Sequence, residues 1–280
     1  MSRVRIVTDS TSDVPPELAE RLHITVVPAY VQIANHSYRD APSEDFSREE
    51  FYARLPEMSS IPTTAVPPAY EFTAAYRNLV DEADEVIAIV VSTSLSGMHN
   101  VARLGAQDAP ELKVHVVDSG QLSMGLGWMV VAAAEAAAAG QSGREIVALI
   151  EDLKPRVRVY AMLDTLEYMR RSGRVSWARA KAAQILRLKP IVEVFLGKVS
   201  DVGRTRTRRR AIERLVELVR GRAPLERLAF LHTYAPELPD LRDRLLDLCP
   251  SSQTLTVAAT TIIGAHVGPR GLGVAMVVAT

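Results

Sequence analysis

Three short segments concentrate hydroxyl side chains: Thr8-Asp9-Ser10-Thr11-Ser12-Asp13, Ser59-Ser60-Ile61-Pro62-Thr63-Thr64 and Ser92-Thr93-Ser94-Leu95-Ser96-Gly97. All three fall at junctions between strand and helix signals. In an open α/β sheet, ligands sit beyond the carboxyl ends of the strands. A helix start there offers free N–H groups and a partial positive charge, and hydroxyls add donors without adding charge. Such a place suits a carboxylate or a phosphate. The same residue types also serve as N-caps and turn formers in any α/β protein, so both roles fit the pattern.

Two further features could carry chemistry. His266 lies in the turn-rich stretch Gly264-Ala265-His266-Val267-Gly268-Pro269, where glycines let a ligand approach and an imidazole can donate to an anion; taken by itself the segment fits a plain surface-loop histidine better. Arg204-Thr205-Arg206-Thr207-Arg208-Arg209-Arg210 packs five arginines into seven residues. That run suits an acidic or phosphate-bearing partner or a solvated junction. Aromatics are only 5% of the chain and no helix-turn-helix or RNA-binding signature accompanies it, so nucleic acid is not expected.

Missing motifs narrow the field. There is no G-x-x-x-x-G-K-[ST] for a nucleotide phosphate and no G-x-S-x-G for a hydrolase nucleophile. The six histidines show no pairing at metal-ligand spacing. Cys249 is the one cysteine, which excludes an internal disulfide and a multi-thiolate metal site. Gly264, Gly268, Gly271 and Gly273 precede a strand, the wrong order for a dinucleotide fingerprint.

The elements that must position these residues alternate in the first half. Val4–Val7 reads as a strand, Pro15 to Leu22 as a helix, and Val26 to Ile33 as one extended run bent at Pro28. Val86–Val91 is a strand of the type buried on both faces, and a helix follows from about Ser96. Val114–Val117 is a strand, and an alanine-rich helix runs to Ala139. Helices open at the capping box Ser47-Arg48-Glu49-Glu50, where Ser47 is poised to accept from the Glu50 backbone, at Pro67-Pro68, and at Ser142-Gly143-Arg144-Glu145, which caps the next helix. This order predicts a mostly parallel sheet with flanking helices. The second half reads as an α+β domain with a mixed or antiparallel sheet. Its strands are Val157–Tyr160, a hairpin turning at Gly197, Leu228–Leu231, Leu255–Val257 and Val274–Val278. Its helices are Leu166–Arg171, Trp177–Leu188, Arg208–Val219 and Leu238–Leu248. The expected domains are 1–155 and 156–280.

Of 280 residues, 48% are hydrophobic and 24% charged, an ordinary globular composition. The net charge of zero is uneven: residues 1–150 carry 10 basic and 20 acidic side chains, the rest 23 and 13. The longest apolar stretch, Met124 to Ala139, is too short to span a bilayer and carries Glu135. No signal peptide is read, and a cytoplasmic protein without stable membrane insertion is expected.

In this order the loops resemble the DegV family of fatty-acid-binding proteins, some of which are lipid-carrier subunits of a bacterial fatty acid kinase. The resemblance runs the whole length. It includes Ile6 to Thr11, Ile61 to Thr64, Ser92 to Gly97, Val117-Asp118-Ser119, Leu166-Glu167-Tyr168 through Ser172-Gly173-Arg174-Val175, Leu188 to Ile191, and Ile263 to Pro269. It implies a two-domain α/β protein that encloses one long-chain fatty acid, such as palmitate, needs no cofactor or metal, and has no catalytic residue of its own. By motif the carboxylate falls to Thr64 or its neighbour Thr63 and to Thr93, with His266 nearby, in a lipid-binding set that includes Ser94, Ser96 and Gly97. Arg206 best matches the arginine that serves work with the kinase subunit. The sequence departs from the pattern at Ala65-Val66, Met98, His99 and Arg270. The physics is consistent: burying about 14 methylenes gives roughly 11 kcal/mol before association costs, so the tail supplies affinity and neutral donors need only orient the head. A stand-alone enzyme acting on a small anion through His266, and a nucleic-acid-binding regulator using residues 204–210, are the other two classes.

Overall fold

A computed structural model describes residues 3–41, 47–180 and 188–280. Strands β1 (Val4–Asp9), β2 (Ile24–Val27), β6 (Glu85–Val90) and β7 (Lys113–Asp118) form a four-stranded parallel sheet ordered β2-β1-β6-β7. Val86 to Val90 are fully buried, as a β-branched run with no polar alternation requires. Short helix α1 (Pro16–Arg21) packs beside β2, and two helix pairs cover the sheet: α3 (Ala69–Arg77) with α4 (Met98–Gln107), and α5 (Ser123–Ala138) with α6 (Gly143–Leu153). The full capping box stands at α6, Ser142 accepting from the Glu145 N–H while Glu145 accepts from the Ser142 N–H, whereas at Ser47, where the box was expected, Ser47 accepts from the Glu50 N–H.

The second sheet is mixed and six-stranded. It contains β8 (Val157–Met162), β9 (Lys189–Phe195), β10 (Lys198–Thr205), β11 (Leu225–His232), β12 (Thr254–Ala258) and β13 (Leu272–Val278), in the order β10-β9-β8-β13-β11-β12. Only β11 and β12 run parallel. The last strand therefore lies in the middle of the sheet, between β8 and β11. β9 and β10 meet at Leu196-Gly197, both with positive φ, the backbone that a two-residue hairpin of matching twist requires. Helix α9 (Arg208–Arg220) lays Ile212, Leu215 and Val219 on β8, β9 and β10. Helix α10 (Leu238–Asp243) is shorter than the expected Leu238–Leu248; a 3-10 turn, Leu246–Leu248, takes the remainder. The helix expected over Trp177–Leu188 follows α7 (Glu167–Ser172) as α8 (Ser176–Ala180), and residues 181–187 lie outside the described residues.

α5 belongs to both sheets. It packs on β1 and β6 on one side and on β13, β8 and β11 on the other. That explains an apolar surface all round: 13 of its 16 residues are buried, a pattern of a helix enclosed by protein. A Cβ at Gly125 would lie 2.6 Å from Val159 and one at Gly127 2.6 Å from the Ser12 carbonyl, so glycine is what lets this helix sit so close to both neighbours. Among the described residues no helix is long and apolar enough to cross a membrane.

A third sheet escapes the sequence reading. The run from Val26 does not merely bend at Pro28; it leaves the parallel sheet there and continues as β3 (Tyr30–Ile33), flanked antiparallel by β4 (His36–Arg39) and β5 (Thr63–Ala65). Proline cannot donate to a ladder, so the chain changes partners at that point. Helix α2 (Arg48–Arg54), capped by Ser47, follows β4. The glycine-rich stretch is corrected as well. His266 stands on a helix, α11 (Thr261–Val267), and not in a loop. Gly264 permits that helix, since any Cβ there would lie 2.4 Å from the Tyr52 hydroxyl, and Gly268 ends it with φ of 77°.

Candidate functional site

Between the sheets lies a cavity of about 460 Å³, within the roughly 300–1,000 Å³ typical of ligand pockets. Its floor is one row of the mixed sheet. The register sets Val192 of β9 beside Ala161 of β8, Ala161 beside Gly273 of β13, and Gly273 beside Leu231 of β11; all four line the space. Two small residues at the centre of that row leave the room. Leu122 and Ser123 from the start of α5, and Ile262 and Ile263 from α11, also contribute to the wall.

Polar groups gather where Thr64, Ser96, Gly97, Arg174 and His266 line the wall. The Thr64 hydroxyl lies 3.0 Å from His266 Nε2, bringing together residues 202 positions apart. Alternation along β5 turns Thr64 inward beside Val31, while exposed Thr63 faces Gln32 at 3.2 Å, away from the cavity. Burial, and secondarily the charge of Arg174, push the His266 imidazole down to about 4, so it is neutral near pH 7. Its Nδ1 is buried without a partner among the described residues. α4 begins at Met98 with no side-chain cap on Gly97, leaving the positive end of a ten-residue helix at the wall.

Arg174 was not singled out from the sequence. Gly173, with φ of 71°, ends α7 and turns the chain so that Arg174 reaches the cavity, where its guanidinium donates to the Leu95 carbonyl at 3.0 Å. No carboxylate among the described residues pairs with it. A cation just after a helix-stopping glycine, inside a segment already notable as a motif, was the available signal. Asp and Glu are absent from the described wall.

The other hydroxyls do different work. Thr93 donates to Asp118 at 2.5 Å and does not line the cavity. Ser94 donates to the Gly197 carbonyl at the β9–β10 turn and shares a 2.9 Å contact with Ser92. Arg206 is exposed and does not line the cavity; its side chain makes no hydrogen bond or ion pair with the described residues. Three arginines of the run are occupied: Arg204 with Asp201, Arg208 between Asp164 and Glu237, Arg209 with Glu213.

A family model described as an uncharacterised protein of the DegV family matches residues 3–279. The chain belongs to the DegV family. A DegV domain-containing protein of Streptomyces coelicolor is 36% identical over 98% of both chains. Among solved structures, a DegV-family protein from Thermus thermophilus, described by its fatty acid binding, superposes with a TM-score of 0.89 at 33% identity, covering 99% of this chain and 100% of that one. DegV of Bacillus subtilis, described as a fatty acid binding protein, gives 0.87 at 28% identity with full coverage of both. The fold of this DegV-family chain, with its parallel first sheet and mixed second sheet, matches theirs.

Proposed function

We propose that this protein binds one long-chain fatty acid and presents it to a fatty acid kinase subunit or another lipid-metabolic partner. The observation that carries the reading is the wall itself: a long apolar lining, no carboxylate among its described residues, and one unpaired guanidinium beside a hydroxyl and a neutral imidazole. An acyl tail fills such a space, and Arg174, Thr64 and His266 receive the carboxylate. Thr93 is already committed to Asp118, so the second hydroxyl of the expected pair is assigned to shaping its loop. The Thr64–His266 pair does not favour a hydrolase, because a base held near 4 is too weak to activate a hydroxyl at neutral pH and its Nδ1 has no orienting acceptor.

Organic extracts of the purified protein, read by mass spectrometry, should contain a C16–C18 acid near one per chain. Empty extracts, with no binding of added palmitate or oleate to delipidated protein, would remove the reading. Thr64→Val keeps shape and deletes a hydrogen bond to a charged group, and should weaken palmitate binding by about 1–3 kcal/mol. Parental affinity in that variant would take Thr64 off the head group.

Partner recognition separates from lipid binding at Arg206. Arg206→Ala should leave palmitate affinity unchanged while phosphorylation of the bound lipid by a kinase subunit falls sharply, since alanine lacks the paired donors that grip phosphate. Arg209→Ala is the suitable control; Arg208→Ala is not, because it removes the guanidinium that joins Asp164 to Glu237. A marked loss of palmitate affinity in Arg206→Ala would place this arginine at the carboxylate instead.

A further inference from the structure

We propose that Asp13 and Asp40 are positioning residues for the polar end of the cavity: two buried carboxylates that hold the first turn of α11 and thereby fix His266 against Thr64. The proposal rests on the fatty-acid reading only for what His266 meets, and one arm of its test needs no ligand.

A helix leaves its first N–H groups without partners inside the helix. At α11 the Thr260 side chain does not fill that need: its hydroxyl is buried with no hydrogen bond among the described residues. Carboxylates from the other end of the chain fill it. Asp13 accepts the Thr260 N–H at 2.8 Å, and Asp40 accepts the Thr261 N–H at 3.3 Å and the Thr261 hydroxyl at 2.8 Å. These bonds span 247 and 221 residues of sequence. Asp13 in turn accepts from Ser123 at the start of α5, and the Asp40 N–H donates to the Ala29 carbonyl at 2.8 Å. The turn before α11 is therefore tied to the loop after β1, to the end of β4 and to the central helix together. Arg48 adds a bond to the Ala258 carbonyl and Tyr52 to the Ala259 and Thr260 carbonyls. Gly264 packs closely against the Tyr52 side chain.

Two buried acids are a costly way to cap seven residues. Burial raises both, Asp13 to about 6, and the charge of Asp40 adds to the rise at Asp13; Arg48 and the hydrogen bonds the two carboxylates accept oppose it only in part. A serine or threonine cap would serve helix stability at less expense. What the carboxylates supply is reach. They fix the helix in two directions, and that helix carries Ile262, Ile263 and His266 into the cavity wall.

Two measurements test this. In delipidated protein, the His266 imidazole followed by NMR, and assigned from the resonance missing in His266→Gln, should titrate near 4. In Asp13→Ala it should rise toward the ordinary 6.5 as the ring loosens, whereas Asp13→Asn, which keeps an acceptor for Thr260, should restore the low value. Thr261→Val removes one bond to Asp40 and should move it in the same direction by less; it serves if Asp13→Ala fails to fold. In palmitate titrations, Asp13→Ala should weaken binding by about tenfold, and the double variant with His266→Ala should bind no more weakly than His266→Ala alone. A His266 titration unchanged in both folded variants, or losses that multiply, would overturn the positioning role. Absence of palmitate binding by the parent would refute the ligand reading while the titration still decides this one.

Discussion

An Ala161→Phe variant should lose palmitate binding by about 100-fold or more while remaining folded. Ala161 is the middle of the cavity floor, flanked by Val192 and Gly273 in register. A phenyl ring there occupies the space of about four methylenes, and at ~0.8 kcal/mol each their exclusion removes roughly 3 kcal/mol, a factor above 100. The ring would enter a space that already exists, so the sheet need not move. Calorimetric titration of delipidated protein reads the loss, and the thermal midpoint checks the fold. An equally bulky change at Leu104, an exposed position outside the wall, is the control. Parental affinity in Ala161→Phe would place the tail somewhere other than this floor.

The second large effect is on acid stability. His266 holds its proton only below about 4 in the fold, against 6.5 in an open chain. As pH falls from 6.5 to 4 the unfolded chain takes up a proton that the folded one refuses. The folded state thereby loses up to about 3 kcal/mol, with no further loss below 4. Asp13 acts in the opposite sense. Its folded value of about 6 lies above the ordinary 3.8, so folding is favoured increasingly as pH falls between those limits. The parent thus carries two opposed contributions over nearly the same window. His266→Gln removes one. Urea unfolding at pH 7 and pH 4.5 should show the variant losing less stability, or gaining more, than the parent on acidification. Comparing two pH values within each protein cancels the pH-independent cost of the substitution. Identical changes in both proteins would mean that His266 is not held neutral by the fold.

Much of this was visible in the residues. Val86 to Val91 could only be a strand covered on both faces, and Ser142 with Glu145 could only be a helix start. The family resemblance groups Thr64, Ser96, Gly97 and His266, which line the cavity, with Thr63, Thr93 and Ser94, which do not. What could not be read depends on partners distant in sequence. Gly264 and Gly268 look like a loop until Tyr52 is known to press on α11, more than 200 positions away. Within the run Ser92 to Ser96 every hydroxyl is equivalent on paper. Asp118 and Gly197 decide which ones are used up and which face the cavity. Arg174 is less legible because a single cation carries no spacing; its place after Gly173 gains meaning once no carboxylate among the described residues pairs with it. The alanine-rich helix announced its burial but not that two sheets share it.

The central place of β13 has a consequence for how the molecule is made. As the chain is synthesised from its amino end, the parallel sheet can form early, whereas β8, β9 and β10 emerge long before the strand that belongs beside β8. Until residues 272–278 arrive, β8 presents an open edge of the kind that recruits other chains, and the floor lacks the Gly273 position. Any ligand that rests on this floor must therefore enter after the mixed sheet closes. The interval before closure is when a nascent molecule is most exposed to misassembly, and substitutions that slow the docking of β13 should show themselves as low soluble yield before they show themselves as weak binding.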